Sequence, residues 1–129
     1  GVANQLQSSL GGRRALQAYA AAMLENGEAA HLGQQWATLT ADVPALSASE
    51  QKDGGVWHPR AEDAGFFTGG IAAALSQNPK TLPDFAQGAG VASPAPGQDV
   101  SEWLSARIDA LPRPARAAFD QALHAGAVR

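Results

Sequence analysis

The clearest pattern in the chain is that of residues 16–24, LQAYAAAML. Apolar side chains recur there at intervals of three and four residues, which places on one face of an α-helix Leu16, Tyr19, Ala20, Met23 and Leu24. Asn26-Gly27 follows, and glycine after a helical run is a common stop signal. Upstream, Gly11-Gly12 either separates this helix from an earlier one or kinks it. The sequence therefore predicts an amphipathic helix that ends near Asn26.

The same spacing predicts further helices toward the C-terminus. A second buried face is predicted for Leu32, Trp36, Leu39 and Val43. Pro59 is expected to open a helix through Ala64, and residues 71–75 are expected to form another, closed by Asn78-Pro79. Between these two helices, Gly69-Gly70 is predicted either to let two helices approach closely or to act as a hinge.

The last third of the chain contains one loop and two helical patterns. Residues 88–98, GAGVASPAPGQ, combine small residues with proline and glycine, which predicts a flexible loop or linker. Asp99 is then expected to cap a helix that carries Glu102 in its first turn and runs to Leu111. Pro114 opens the final helix. No segment alternates apolar and polar residues in the manner of a half-buried strand.

Together these segments predict an all-α fold, a compact bundle of about five to six short helices without a significant β-sheet. A chain of 129 residues and 13.2 kDa supports one hydrophobic core, so residues 1–129 are predicted to form a single helical domain. The chain opens at Gly1 without an initiator Met, which is typical of a processed protein or of a fragment of a larger one. Heavy use of alanine, and of arginine over lysine, favours a bacterial source.

Charge and composition restrict the classes of partner. The net charge of −3 and the pI near 5.5 argue against nucleic acid, because phosphate binding needs clustered Lys and Arg. No apolar run approaches the roughly 18–20 residues of a membrane span, and no signal-peptide pattern is present. The absence of cysteine excludes disulfides and thiolate metal sites. No cofactor is predicted, and the compartment is left open.

Three histidine–acid pairs provide the candidate chemistry, and the third of them is Asp120-x-x-x-His124. Glu28-x-x-His31 and His58-x-x-x-Glu62 each place an imidazole and a carboxylate one helical turn apart. If they converge, such pairs can hold zinc, manganese or iron between the helices of a bundle. His58 can also be read as a general base that Glu62 or Asp63 orients. Solvated surface pairs and acids in a first helical turn explain the same residues more simply, and this interpretation is favoured.

Four aromatic residues stand among many glycines, prolines and alanines in the middle of the chain: Trp57, Phe66, Phe67 and Phe85. Such a mixture can form an adaptable surface for a helix or peptide of a partner. The alternative for each of them is burial in the core. Phe66 and Phe67 cannot both face inward from a regular helix, so one of them is expected to be an exposed anchor.

The functional hypothesis follows from these patterns. No catalytic residue is assigned, and we expect a non-enzymatic helical protein–protein interaction module, a domain of a larger bacterial protein or of an assembly. The alternative is an enzyme or a metal-binding helical bundle that uses His58, Glu62 and Asp63 together with Glu28 and His31. A small-ligand carrier with an apolar pocket is a third class. Convergence of His31 and His58 would favour the alternative, and an exposed apolar patch at Phe66 or Phe67 would favour the module.

Overall fold

The computed structural model describes residues 10–45, 59–108, 111 and 113–126. Six α-helices have their bounds there: α1 Leu10–Glu25, α2 Ala29–Ala41, α3 Pro59–Gln77, α4 Leu82–Ala89, α5 Val100–Ser105 and α6 Arg113–Gly126. A 3₁₀ turn, Pro79–Thr81, precedes α4, and residues 43–45 are also helical. The described residues contain no strand. The predicted all-α fold is therefore confirmed.

The longest helix, α3, is the centre of the arrangement. Helices α1 and α6 both pack along it, α5 contacts it, and α2 packs on α4. The aromatic part of the core is a row in which the Phe85 ring lies 6.0 Å from Trp36 and 6.1 Å from Trp103. The Trp36 indole N–H donates to the Thr68 hydroxyl at 2.9 Å, which ties α2 to α3. In the part of the chain that the structure describes, no helix is long and apolar enough to cross a bilayer.

Helix α3 continues through the glycines that were predicted to interrupt it. The prediction of two helices, ending at Ala64 and restarting at Ile71, is wrong, whereas the predicted close approach is observed. A Cβ atom on Gly70 would lie 3.1 Å from the backbone nitrogen of Gln17 in α1. A Cβ atom on Gly65 would lie 2.7 Å from the Cβ of Ala122 in α6. Glycine weakens an isolated helix, but here it lets two neighbours approach the α3 backbone.

Helices α2 and α4 meet through a second pair of glycines, one on each helix. A Cβ atom on Gly33 would overlap the Phe85 carbonyl oxygen, and one on Gly88 would overlap the Ala30 carbonyl oxygen. Each helix thus lays its backbone against the glycine of the other. We call this contact the glycine notch, and it fixes how α2 sits on α4.

Helix ends follow the local signals at three positions. Helix α1 ends at Glu25, and Gly27 adopts a φ of +76°. Helix α3 ends at Gln77, before Asn78-Pro79. The Asp99 carboxylate accepts a hydrogen bond from the Glu102 backbone N–H at 3.2 Å, as expected for an N-cap. Gly11-Gly12 neither separates nor ends a helix, since both residues lie inside α1.

The helix that Asp99 caps is shorter than predicted. It ends at Ser105 and does not run to Leu111. Arg116 of α6 holds the chain that leaves this end, because its guanidinium donates to the Ser105 carbonyl at 3.3 Å and also to the Ile108 carbonyl. Carbonyls at a helix end lack partners within the helix, so a side chain from a neighbouring helix can bind them. Arg116 also pairs with Asp120 at 3.3 Å.

The predicted loop begins later than the sequence suggested. Its first two residues belong to α4, which ends at Ala89, and Gly90 takes a left-handed C-cap conformation with a φ of +74°. The Trp103 indole N–H donates to the Ala92 carbonyl at 3.0 Å, so the core holds the loop at that residue. Further on, the Ala95 backbone N–H donates to the Gln98 side chain at 3.1 Å.

Candidate partner-binding surface

Both phenylalanines of the predicted aromatic pair line one surface groove. Phe66 and Phe67 lie on α3 and are half-buried, and Phe67 also packs against the core. Leu16 of α1, Leu39 of α2 and Asp63 complete the walls of the groove, whose volume is about 270 Å³. The two rings therefore share one partly open environment, where the sequence had predicted one inward and one exposed ring.

The large apolar side chains most exposed in the described ranges lie beside this groove. Tyr19 on α1 is 44% exposed and Leu39 on α2 is 45% exposed. The Tyr19 hydroxyl donates to Gln35 Oε1 at 2.8 Å, and Gln35 Nε2 lies 3.3 Å from His31 Nε2. This chain of polar contacts joins the outer sides of α1 and α2.

A second, shallower depression runs along α2 and has a volume of about 410 Å³. It is lined by His31, Gln34, Gln35, Thr38 and Leu39. Because Leu39 also lines the first groove, the two depressions are continuous at this residue. We use the term α1/α2 face for the surface formed by Leu16, Tyr19, His31, Gln34, Gln35, Thr38 and Leu39.

The α1/α2 face carries no formal charge. Residues 15–24 of α1 and 29–41 of α2 contain no Asp, Glu, Lys or Arg, although 16% of the whole chain is charged. The polar side chains of the face are imidazole, carboxamide and hydroxyl groups. Burying these side chains against a partner desolvates no ion, which is the expensive step for charged surfaces, whereas the adjoining groove includes the Asp63 carboxylate.

Sequence reasoning missed the two exposed large apolar members of this face. Tyr19 and Leu39 were both predicted to face inward, and both predictions are wrong. Helix α2 buries Leu32 and Trp36 as predicted, but the rest of its buried stripe is made up of Ala29, Gly33 and Thr40. Thr40 can occupy a buried position because its hydroxyl donates to the Trp36 carbonyl at 2.8 Å. A buried glycine and threonine give no hydrophobic signal, so the apolar pattern alone shifted the predicted face toward Leu39.

Two other residues predicted to contact a partner are not part of this surface. Phe85 is fully buried between Trp36 and Trp103, which corrects its assignment to a partner-binding surface. Phe85 is the middle ring of the aromatic row in the core. Its backbone lies against Gly33 of α2 at the glycine notch. Trp57 lies outside the described residues.

The described residues of the alternative metal or catalytic site do not form a cluster that could hold a metal ion. Glu28 and His31 are exposed, and the imidazole of His31 contacts Gln35. Glu62 and Asp63 are half-buried near the start of α3, and His58 lies outside the described residues. Across residues 10–45, 59–108, 111 and 113–126, no three His, Asp or Glu side chains come together as a metal ion would require.

The fold and this surface define a small all-α protein with an uncharged, partly apolar face on two adjacent helices. No family model, curated protein or solved structure matches the chain. Function is therefore inferred from the chemistry of the α1/α2 face and its groove.

Proposed function

We propose that the protein is a non-enzymatic helical interaction module that binds a protein partner through the α1/α2 face and the adjoining groove. The observation that carries this proposal is the position of Leu39, an exposed leucine at the junction of two depressions. Phe66 and Phe67 lie on the other wall of the groove. Exposed apolar patches mark interaction sites on protein surfaces, and aromatic side chains are enriched among the residues that dominate binding.

The energetics support binding at this position. Full burial of a leucine side chain is worth about 1.5–3 kcal/mol, so covering the exposed part of Leu39 contributes about 1 kcal/mol. Tyr19 offers a similar apolar area, and its hydroxyl already has an acceptor in Gln35. A tyrosine whose polar end is satisfied can be covered without leaving a hydrogen bond unmade. Both residues therefore favour a bound state over continued exposure.

The test is affinity capture with three versions of the complete chain as bait, read by mass spectrometry. These are the wild type, Leu39→Lys and the control Gln121→Lys, which adds the same charge at an exposed position of α6. Lysine near the C-terminal end of α2 is compatible with the helix dipole, so the fold should be retained. Circular dichroism of each bait checks this.

We expect a stoichiometric partner on the wild type and on Gln121→Lys, and at least tenfold weaker capture by Leu39→Lys. The loss follows because an unpaired ammonium group would be buried in an apolar contact. Equal capture by all three baits would show that the partner binds elsewhere and would contradict the proposal.

A further inference from the structure

A row of three side chains on the α1/α2 face determines the protonation state of His31. The Tyr19 hydroxyl donates to Gln35 Oε1 at 2.8 Å, and Gln35 Nε2 lies 3.3 Å from His31 Nε2. A carboxamide nitrogen can only donate, so His31 Nε2 must accept and cannot carry a proton. In this arrangement His31 is therefore neutral, with its ring proton on Nδ1.

Protonation of His31 is incompatible with this arrangement. An imidazolium carries a proton on both ring nitrogens, so His31 Nε2 and Gln35 Nε2 would both be donors. A half-turn of the Gln35 carboxamide restores the contact, because Oε1 then accepts from His31. The amide nitrogen then faces Tyr19, whose oxygen must accept, and the tyrosine O–H loses its present acceptor. A proton gained on α2 thus changes the hydrogen-bonding role of a side chain on α1.

His31 is also the one side chain of the α1/α2 face whose charge changes near neutral pH. The other members of the face are apolar, carboxamide or hydroxyl side chains, whereas an ordinary imidazole titrates at about pH 6.5. His31 and Leu39 line the same depression. Protonation would therefore place a positive charge in the depression that contains the exposed leucine.

The carboxylates on the elements around His31 do not hold it in its charged form. Three of them lie at the start of α2, at the end of α1 and in the first turn of α4, and all are exposed: Glu28, Glu25 and Asp84. Solvent screens such charges, and in the described part of the chain none of them forms an ion pair with His31. On α3, Glu62 precedes Asp63, which lines the groove with Leu39 near the opposite end of α2.

We propose that His31 acts through Gln35 as a pH switch of the α1/α2 face, which binds its partner tightly when His31 is neutral and weakly when it is protonated. This inference rests on the proposed function and concerns the regulation of the same site. Covering the face removes water from an imidazolium and from a tyrosine O–H that has lost its acceptor, and both are unfavourable. Partner binding and protonation therefore oppose each other, and the affinity falls as the pH drops through the titration of the free imidazole.

The first test needs no partner. In the isotope-labelled complete chain, NMR follows the Cζ resonance of Tyr19 and the ring resonances of His31 from about pH 8 to about pH 5, the range in which imidazoles titrate. We expect the Tyr19 signal to follow the titration of His31 in the wild type and in Gln34→Leu, the matched control at the neighbouring glutamine. In Gln35→Leu, His31 should still titrate but Tyr19 should no longer respond. An equal response of Tyr19 in Gln35→Leu, or none in the wild type, overturns the switch.

The second test repeats the affinity capture at about pH 7.5 and about pH 5.5, one unit on either side of an ordinary imidazole titration. The baits are the wild type, His31→Gln and the control His124→Gln, which removes an exposed imidazole from α6. Capture by the wild type and by His124→Gln should be about tenfold weaker at the lower pH, as expected one unit below the titration midpoint. For His31→Gln the readout is the ratio between the two pH values, which should be close to one.

The outcomes separate this inference from the proposed function. If no bait captures a partner at the higher pH, the proposed function fails and the switch fails with it. If the wild type captures a partner equally well at both pH values, the switch is overturned and the interaction module stands. The same conclusion follows if capture by His31→Gln falls at the lower pH as much as capture by the wild type, because another group then titrates.

Discussion

A buried hydrogen bond joins α2, which carries Leu39, to α3, which carries Phe66 and Phe67. The Trp36 indole N–H donates to the Thr68 hydroxyl at 2.9 Å, and both side chains are buried. Trp36 lies on α2, three residues before Leu39, so the exposed leucine is held in place by the buried tryptophan. An indole N–H that is buried without an acceptor costs more than the bond itself contributes, which makes Thr68 a position of high sensitivity.

Replacement of Thr68 by valine should destabilise the protein by about 1–3 kcal/mol, because the shape is kept while the buried N–H loses its acceptor. The free energy of unfolding from urea titration measures this effect. Thr40→Val is the matched control, since the Thr40 hydroxyl donates to a carbonyl of its own helix. We expect that control to lose less than about 1 kcal/mol. A similar loss of stability in both variants would mean that the bond between the helices contributes no more than a hydrogen bond within one helix.

At the scale of elements, close approach between helix backbones organises the molecule. Glycines of α3 receive α1 and α6, and the glycine notch joins α2 to α4. In an exposed helix glycine is a defect, since it costs roughly 0.5–1 kcal/mol relative to alanine. Here the contact is possible because glycine has no side chain. At these positions we therefore expect the protein to be more stable with glycine than with alanine, the reverse of the usual order in a helix.

Gly88→Ala tests this reversal. Helix propensity alone predicts that the variant gains stability, but the new methyl group would overlap the Ala30 carbonyl oxygen. Overpacking of this kind typically costs about 1–3 kcal/mol, so we expect a net loss in the free energy of unfolding. Gln87→Ala, at the neighbouring exposed position of α4, controls for propensity and should change stability by less than about 0.5 kcal/mol. If the Gly88→Ala variant is more stable than the wild type, the two helices are not in tight contact at the glycine notch.

At the scale of the whole molecule, α3 connects helices from both ends of the described chain. Helices α1 and α6 share it, and the aromatic row links α2, α4 and α5 beside it. Helices that share one central partner cannot bury their apolar faces independently. Loss of any of them should therefore expose the core as a whole.

We accordingly expect a single cooperative unfolding transition. In a Trp57→Phe background, tryptophan fluorescence reports the buried Trp36 and Trp103, and far-ultraviolet circular dichroism reports the helices. The two signals should give the same midpoint in urea, as in two-state unfolding. Thr68→Val should lower both midpoints together. Separate midpoints would indicate that the helices on either side of the loop unfold independently.

The sequence was informative where local chemistry determines the structure. The glycine after α1, the Asn78-Pro79 stop after α3 and the Asp99 cap each act within one helical turn, and all three predictions are confirmed. The continuity of α3 through Gly69-Gly70 and the exposure of Leu39 depend on which helix packs where. Neither can be derived from spacing, because a buried glycine and an exposed leucine both run against the hydrophobic pattern. The candidate surface was consequently predicted at Phe66 and Phe67 but not at Tyr19 or Leu39.

The bond between the Trp103 indole and the Ala92 carbonyl divides the loop after α4 into two parts with different tolerance to engineering. Residues before Ala92 have little slack, since they connect the end of α4 to a fixed point on the core. Residues 93–98 are mostly exposed and precede the Asp99 cap. A reporter peptide or an affinity tag inserted there leaves both anchors in place, and exposed loops of this kind accept insertions well. The indole of Trp103 thus marks the boundary between the part of the loop that must keep its length and the part that can be extended.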